Sequence, residues 1–330
     1  MSRAGVGAAS LLLAALIAAA PAAADDHLLF LEGQGVAGYS SEERRPIYYS
    51  MNPDAEMQKP SLGFDYLQRF SGAGGDVGSL AFQGRLALTD DGDSITLEPQ
   101  AYNAWIKAKT GAGDFWLGHN RPAFGLGSYF DSHGLLLRTL PVQGFGYDRD
   151  WGAGYYRDTK WGNVALSATT GSGMPILFKG GNGMAAARVS VGVLGEDNFN
   201  AGLSAGFGKT LDTMGYVLRD PEPRDMRLVG ADATLLRDNQ EHRLDVQGGE
   251  WLGEVSMAAS YRFGLLLGAE GRVKVELQPT WWWWNGRELL LSACVSGQAT
   301  SSLTVRGMYE YWQEADEHRA IAQLYYYSPI

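Results

Sequence analysis

The residues able to do chemistry in this chain stand singly. Five histidines, His27, His119, His133, His242 and His318, are far apart in the sequence. No Gly-x-Ser-x-Gly elbow and no His-Glu-x-x-His pair is present, and no Cys/His cluster has metal-ligand spacing. The one cysteine, Cys294, excludes an internal disulfide framework and lies on an alternating segment, where it reads as a packing residue. No catalytic set, metal site or cofactor site is called for.

What the chain does carry is charge at regular spacing. Asp65, Arg69, Arg85, Lys107, Arg188, Asp232, Arg243, Asp245, Arg262, Lys274, Glu276, Glu288, Arg306 and Glu310 each fall on the polar parity of a segment that alternates polar and apolar residues. Fixed charges along a narrow passage focus potential on passing ions; the plainer alternative is that they only keep a lumen wet. A second group lies in one long aperiodic stretch. There Arg121, Arg138 and Arg149 balance Asp131, Asp148 and Asp150, with His133 among them. Neither group has a decisive net sign.

The elements that must position these residues have a period of two. In Val77–Leu88, Leu80, Phe82, Leu86 and Leu88 share one face and Ala81, Gln83, Arg85 and Ala87 the other, a pattern that cannot form one helical stripe. Sixteen such segments are predicted: Leu28–Gly38, Ser61–Ser71, Val77–Leu88, Ile95–Lys109, Asp114–Asn120, Asp150–Asp158, Trp161–Thr170, Gly183–Leu194, Asn198–Phe207, Met226–Leu236, Glu241–Trp251, Val255–Leu265, Arg272–Trp282, Arg287–Val295, Ser302–Trp312 and Arg319–Tyr327. Their connections tend to alternate. Residues 41–60, 121–149, 171–182 and 208–225 read as long; 72–76, 110–113, 159–160, 195–197 and 237–240 read as short. The stretch after the fifth segment holds Phe124, Leu126, Tyr129, Phe130, Leu135, Leu136, Leu137 and Leu140, too many large apolar groups for a solvated linker. It has to pack against something, and a closed array offers its inside.

The first 24 of the 330 residues read as a secretory signal peptide: Arg3, an apolar Leu11–Ile17, then Ala22-Ala23-Ala24 before Asp25. Residues 25–330 then form one domain. Loss of Arg3 takes the formal charge from −10 to −11, which argues against a nucleic-acid partner. No apolar run is long enough for a spanning helix, but spanning strands alternate and escape that test. Forty-four glycines, ten tryptophans, sixteen tyrosines and twelve phenylalanines suit many strands with tight turns. Aromatics gather at segment ends (Trp281–Trp284, Tyr309, Tyr311, Trp312, Tyr325–Tyr327), as at a headgroup belt, and four consecutive Trp put two on each face. The apolar faces use small side chains such as Ala185, Ala187 and Val189, which suits lipid. An open sheet edge in hydrocarbon leaves backbone groups unpaired, so the array has to close. With about sixteen strands the lumen holds water. The expected class is all-β: an antiparallel up-and-down transmembrane β-barrel with a long loop folded into the lumen.

The stretch Tyr102-Asn103-Ala104-Trp105-Ile106-Lys107, the turn Thr110–Gly113, and Phe115-Trp116-Leu117-Gly118-His119-Asn120-Arg121-Pro122-Ala123-Phe124-Gly125 resembles the bacterial outer-membrane porins. Such sequences carry a Leu-Gly-Arg pattern followed by Pro-Phe-Gly; here His119 stands at the Arg position and Arg121 follows. The motif covers about 25 residues. The resemblance implies that the loop after the fifth strand is the constriction, with Arg121, Asp131, His133, Arg138, Asp148 and Arg149 at it. Arg69, Arg85, Lys107, Arg188, Arg262, Lys274, Glu276, Arg306 and Glu310 would line the rest. It also implies the outer membrane of a Gram-negative cell, lipid and lipopolysaccharide as surroundings, small hydrophilic solutes or ions as cargo, and a homotrimer. Family barrels usually end on an aromatic residue; this chain ends Tyr327-Ser328-Pro329-Ile330. Tyr129, Phe130 and Tyr147 read either as a contact for sugars or as anchors for the loop. The alternatives are a closed barrel serving as adhesin, scaffold or receptor, and a soluble secreted β-protein. A barrel hydrolase comes behind them, since no Ser lies two residues after His119 or His133 and Ser132 is only adjacent to His133.

Overall fold

The computed structural model describes residues 27–330 except 57, 91, 93, 129–133, 194, 195 and 285. The leader read over residues 1–24 lies outside the described residues, as do Asp131 and His133. Sixteen long strands follow one another: β1 (His27–Ser40), β2 (Ser61–Gly72), β3 (Gly75–Asp90), β4 (Ile95–Thr110), β5 (Gly113–Asn120), β6 (Asp150–Asp158), β7 (Gly162–Thr169), β8 (Gly183–Val191), β9 (Phe199–Met214), β10 (Val217–Arg237), β11 (Gln240–Trp251), β12 (Glu254–Leu267), β13 (Val273–Trp283), β14 (Arg287–Gln298), β15 (Leu303–Trp312) and β16 (Glu317–Pro329). A three-residue strand, Arg45–Ile47, adds to the end of β1 within the first connection.

Every long strand pairs antiparallel with its sequence neighbours. The ring closes where β1 meets β16, from Phe30 opposite Pro329 to Ser40 opposite Arg319. Closure removes the unpaired edge that hydrocarbon would not tolerate. The result is a 16-stranded antiparallel transmembrane β-barrel, and each of the sixteen predicted segments corresponds to one strand.

The pleat sorts side chains to two surfaces. On β8, Val189 and Val191 are 43% and 60% exposed, while Arg188 and Ser190, which alternate with them, are buried. The same holds around the ring. Leu62, Leu86, Leu203, Val229, Leu277 and Leu324 stand outward; Gln83, Arg85, Asp232, Asp245, Gln278 and Gln323 are buried on the other face. Exposed apolar side chains on the outside and covered polar ones inside is the inverse of a soluble β-protein and suits a lipid surround. Within the tryptophan run, Trp281 and Trp283 are exposed while Trp282 is buried.

One predicted connection is absent. Residues 208–225 were expected to form a long loop. Instead β9 continues to Met214 and β10 starts at Val217, with Gly215 at φ 54° in the turn. The pairing runs out to Met214 opposite Val217, with register shifts near Asp212. Strands of 16 and 21 residues exceed the roughly 9–11 that span a bilayer. Their outer parts are polar (Lys209, Thr210, Asp212, Arg219, Asp220, Glu222, Arg224), so the apolar alternation ends while the hydrogen-bond ladder continues.

Candidate pore constriction

The segment after β5 leaves the ladder at Pro122, which has no N–H to give. Its backbone is then held by the inner wall. Ala123 N–H donates to Ser167 Oγ at 2.9 Å and Gly125 N–H to Ser204 Oγ at 3.0 Å. Phe124 fits where the wall has no side chain: a Cβ at Gly230 would stand 3.3 Å from its ring. A 3-10 turn, Leu126–Ser128, follows.

From residue 134 onward the segment meets the wall on several sides. Leu136 and Leu137 pack with Val36, Cys294, Met308 and Ile321. Leu140 and Phe145 pack with Ala258, Trp282 and Leu290. Tyr147 packs with Met184, Ala186, Met226, Leu228 and Trp251. Val142 meets Tyr102 and Met174. Leu136, Leu137 and Leu140, among the residues that made the segment unfit for a solvated loop, are thus buried against apolar patches of an otherwise polar face. Cys294 is one of the packing residues. Tyr147 is an anchor: its single hydroxyl proton is shared between the carbonyls of Gly171, at 2.9 Å, and Leu211, and its ring meets Trp251 edge-on at 5.5 Å.

Polar groups of the wall fix the carbonyls of the segment. Arg262 Nη2 donates to Leu137 O at 3.0 Å, Gln278 Nε2 to Arg138 O at 2.8 Å, and Gln247 Nε2 to Phe145 O at 3.1 Å. Without these acceptors the buried Arg262, Gln278 and Gln247 would each lose a hydrogen-bond partner.

Among the described residues predicted at the constriction, Arg138, Asp148 and Arg149 are neutralised locally. Arg138 is ion-paired with Glu310, and Arg149 with Asp148. Arg149 also gives Nε–H to Asn103 Oδ1 at 2.8 Å and lies over the Tyr102 ring at 3.6 Å, while Tyr102 donates to Asp148 Oδ2 at 3.0 Å. Arg121 borders a separate cavity described below.

Of the lining residues, some are ion-paired and others meet neutral groups. Arg85 donates to Gln100 Oε1 at 2.9 Å and to the carbonyl of Glu56. Arg188 pairs with Asp232, Nε to Oδ2 at 2.9 Å. Lys274 bridges Glu241 at 2.7 Å and Glu276 at 2.8 Å. Arg306 meets Gln323 at 2.8 Å, and Glu310 also accepts from Ser292 Oγ at 3.0 Å. Lys107 lies 5.3 Å from the Trp105 ring centre and 3.9 Å from Asp114. Arg69 is exposed near the end of β2. Among the described residues, no group of three or more His, Cys, Asp or Glu is placed to hold a metal ion.

Two features went unpredicted. The first connection also turns onto the wall. Gln58 accepts from Gln34 at 2.8 Å and Gln323 at 2.9 Å, and Lys59 lies 3.8 Å from Glu98. Burial, with the Asp148 carboxylate nearby, holds Glu56 above the usual carboxylate range, and burial pulls Lys59 below the usual ammonium value. The turn between β9 and β10 meets both the wall and this connection: Tyr216 OH donates to Ala101 O of β4 at 2.9 Å, and Arg219 lies 3.6 Å from Asp54. Polar side chains such as Glu56 and Lys59 gave no signal in the sequence, since in a connection they read as solvated.

Two larger spaces remain beside the segment. One, of about 380 Å³, is bordered by Asn103, Trp105, Lys107, Trp116, Arg121 and Tyr156. The other, of about 330 Å³, lies at the end with the long connections, between Phe145 and Trp251, Trp282, Trp284 and Trp312.

The chain matches no sequence-family profile and no curated protein sequence. Its fold is matched by solved structures. OmpF of Salmonella typhi, in a complex with daunomycin, superposes at a TM-score of 0.67 with 9% identity over 92% of this chain and 98% of that one. An anion-selective porin from Comamonas acidovorans gives 0.59 at 12% identity over 93% and 100%. OmpT of Vibrio cholerae, in a trimer form, gives 0.59 at 12% over 92% and 100%. Closed ring, strand number and near-complete overlap together make this chain a 16-stranded barrel with the fold of the outer-membrane porins.

Proposed function

We propose that the chain is a passive porin of a Gram-negative outer membrane, exported by a signal peptide cleaved after Ala24, that lets small hydrophilic solutes or ions diffuse through its lumen. The observation that carries this is the hold of segment 121–149 on the inner face, with open space remaining on two sides of it. Segment 121–149 is then the constriction, with Arg121, Asp131, His133, Arg138, Asp148 and Arg149 belonging to it. Arg69, Arg85, Lys107, Arg188, Arg262, Lys274, Glu276, Arg306 and Glu310 line the passage. Arg138, Arg149, Arg188 and Lys274 are paired with carboxylates while Arg85, Arg262 and Arg306 meet neutral groups, so the lining charges bias a passage whose limit is set by size. Lipid and lipopolysaccharide surround the barrel. The trimer form of the Vibrio cholerae protein supports a homotrimer.

Planar-bilayer recording of the purified protein tests this reading. Stepwise insertion of ohmic channels is expected; current no higher than in protein-free membranes contradicts it. The second reading is a closed barrel acting as adhesin, scaffold or receptor. It is favoured by the burial of inner charges such as Arg138, Arg188 and Glu310, and it predicts silent bilayers from correctly folded protein.

A further inference from the structure

The stretch Thr170-Gly171-Ser172-Gly173, directly after β7, is folded around one carboxylate. That carboxylate belongs to Asp150, the first residue of β6, whose exposure is 0%. Its Oδ2 accepts from Gly171 N–H at 2.6 Å. Its Oδ1 faces the Thr170 hydroxyl at 2.6 Å and the N–H groups of Trp151 at 2.9 Å, Gly173 at 3.1 Å and Ser172 at 3.3 Å. Gly171 and Gly173 have φ of 67° and 70°, the left-handed conformation that turns successive N–H groups toward one point.

The turn so built is the seat of Tyr147, the last aromatic residue of segment 121–149. A Cβ at Gly173 would stand 2.9 Å from the Tyr147 ring, so only glycine leaves room for it. The Tyr147 hydroxyl proton is shared between Gly171 O and Leu211 O. Leu211 is itself tied to the turn, its N–H donating to Gly171 O at 2.8 Å, and the Thr213 hydroxyl donates to Ser172 O at 3.0 Å. On its other side Tyr147 packs on Met184 of β8, Met226 of β10 and Trp251 of β11.

We propose that Asp150 is a positioning residue of the constriction. It fixes the turn 170–173, the turn fixes Tyr147, and Tyr147 holds the end of segment 121–149 against the wall and out of the passage. Being fully buried, the carboxylate touches no solute and acts only through this chain of contacts. An amide in its place has one acceptor oxygen and turns two N–H donors onto a turn made of donors. The consequence for transport rests on the channel reading; the seat itself does not.

The test is planar-bilayer recording of the full chain for the parent, Asp150→Asn, Tyr147→Phe and the double variant. Asp150→Asn should lower the unitary conductance and add open-channel noise, as the released end leans inward. Tyr147→Phe should give a smaller loss in the same direction. The double variant should lose no more than Asp150→Asn alone, since both changes cut one chain of contacts. Thr170→Val removes a single donor and should give a small loss too, so a misfolded Asp150→Asn does not decide the matter. Parent-like conductance and noise in the folded Asp150→Asn or Thr170→Val protein, or additive losses in the double variant, overturns the proposal. If the parent itself carries no current, the channel reading falls, and hydrogen exchange then reads the seat. Amides of residues 143–149 should exchange faster in Asp150→Asn than in the parent; equal exchange overturns the role of Asp150.

Discussion

Arg138, in the segment that follows the fifth strand, is ion-paired with Glu310 on the wall strand β15, and each side chain is 1% exposed. The pair joins a loop to the barrel at a place where water does not screen the charges. Removing one partner leaves the other charged and buried, which costs about 3–5 kcal/mol. Glu310→Ala should therefore detach residues 134–149 before it unfolds the barrel. Limited proteolysis should cut within 134–149 in the variant and spare the parent. Arg138→Met with Glu310→Leu should recover most of the protection, since an apolar pair of similar volume carries no unpaired charge.

The turn between β9 and β10 bears on the first connection through one glycine. At Gly215, φ is 54° and a Cβ would stand 2.2 Å from the carbonyl oxygen of Asp54. Gly215→Val meets both a disfavoured backbone and a collision with main chain. It should lift the hairpin tip away from residues 54–56 without disturbing the spanning strands. Hydrogen exchange at 50–58 should speed up while exchange in β9 and β10 below Thr210 stays slow.

Glu56 gives the first connection a pH dependence. Its folded pKa is raised, by burial first and by Asp148 second. A raised carboxyl binds its proton more tightly in the folded state. Its contribution is complete below the unfolded carboxylate value and is lost as pH rises through the folded one. Protection of residues 48–60 from proteolysis should fall as pH is raised upward from the ordinary carboxylate range. Glu56→Gln should flatten that dependence; an unaltered profile would assign it to another group.

The barrel was legible because its strands face two solvents. Where lipid meets one face and the lumen the other, as at Val189 and Arg188, the alternation is written residue by residue. The segment after Asn120 was legible as something that had to pack, from its leucines and aromatics. Its partners were not, because the wall residues that receive it (Leu290, Met308, Ile321, Leu228) sit on the parity otherwise used for polar groups. The long β9–β10 hairpin was hidden for a different reason. Beyond the membrane polar residues fall on both faces, so the hydrogen-bond ladder continues with no periodicity to report it. Burial of Glu56 and Lys59 was hidden because nothing local distinguishes a solvated charge from one folded onto a wall.

The central claim is that the segment after the fifth strand sets the width of a water-filled passage. Single-channel conductance of the parent and of a variant lacking Gly127–Gln143 measures this directly. The deletion removes Arg138, Leu136, Leu137 and Leu140, which hold the segment to β12–β16, and leaves the strands intact. The account predicts a larger unitary conductance for the deletion at the same salt and voltage. Equal conductance in the two proteins would contradict it and put the narrowest point elsewhere.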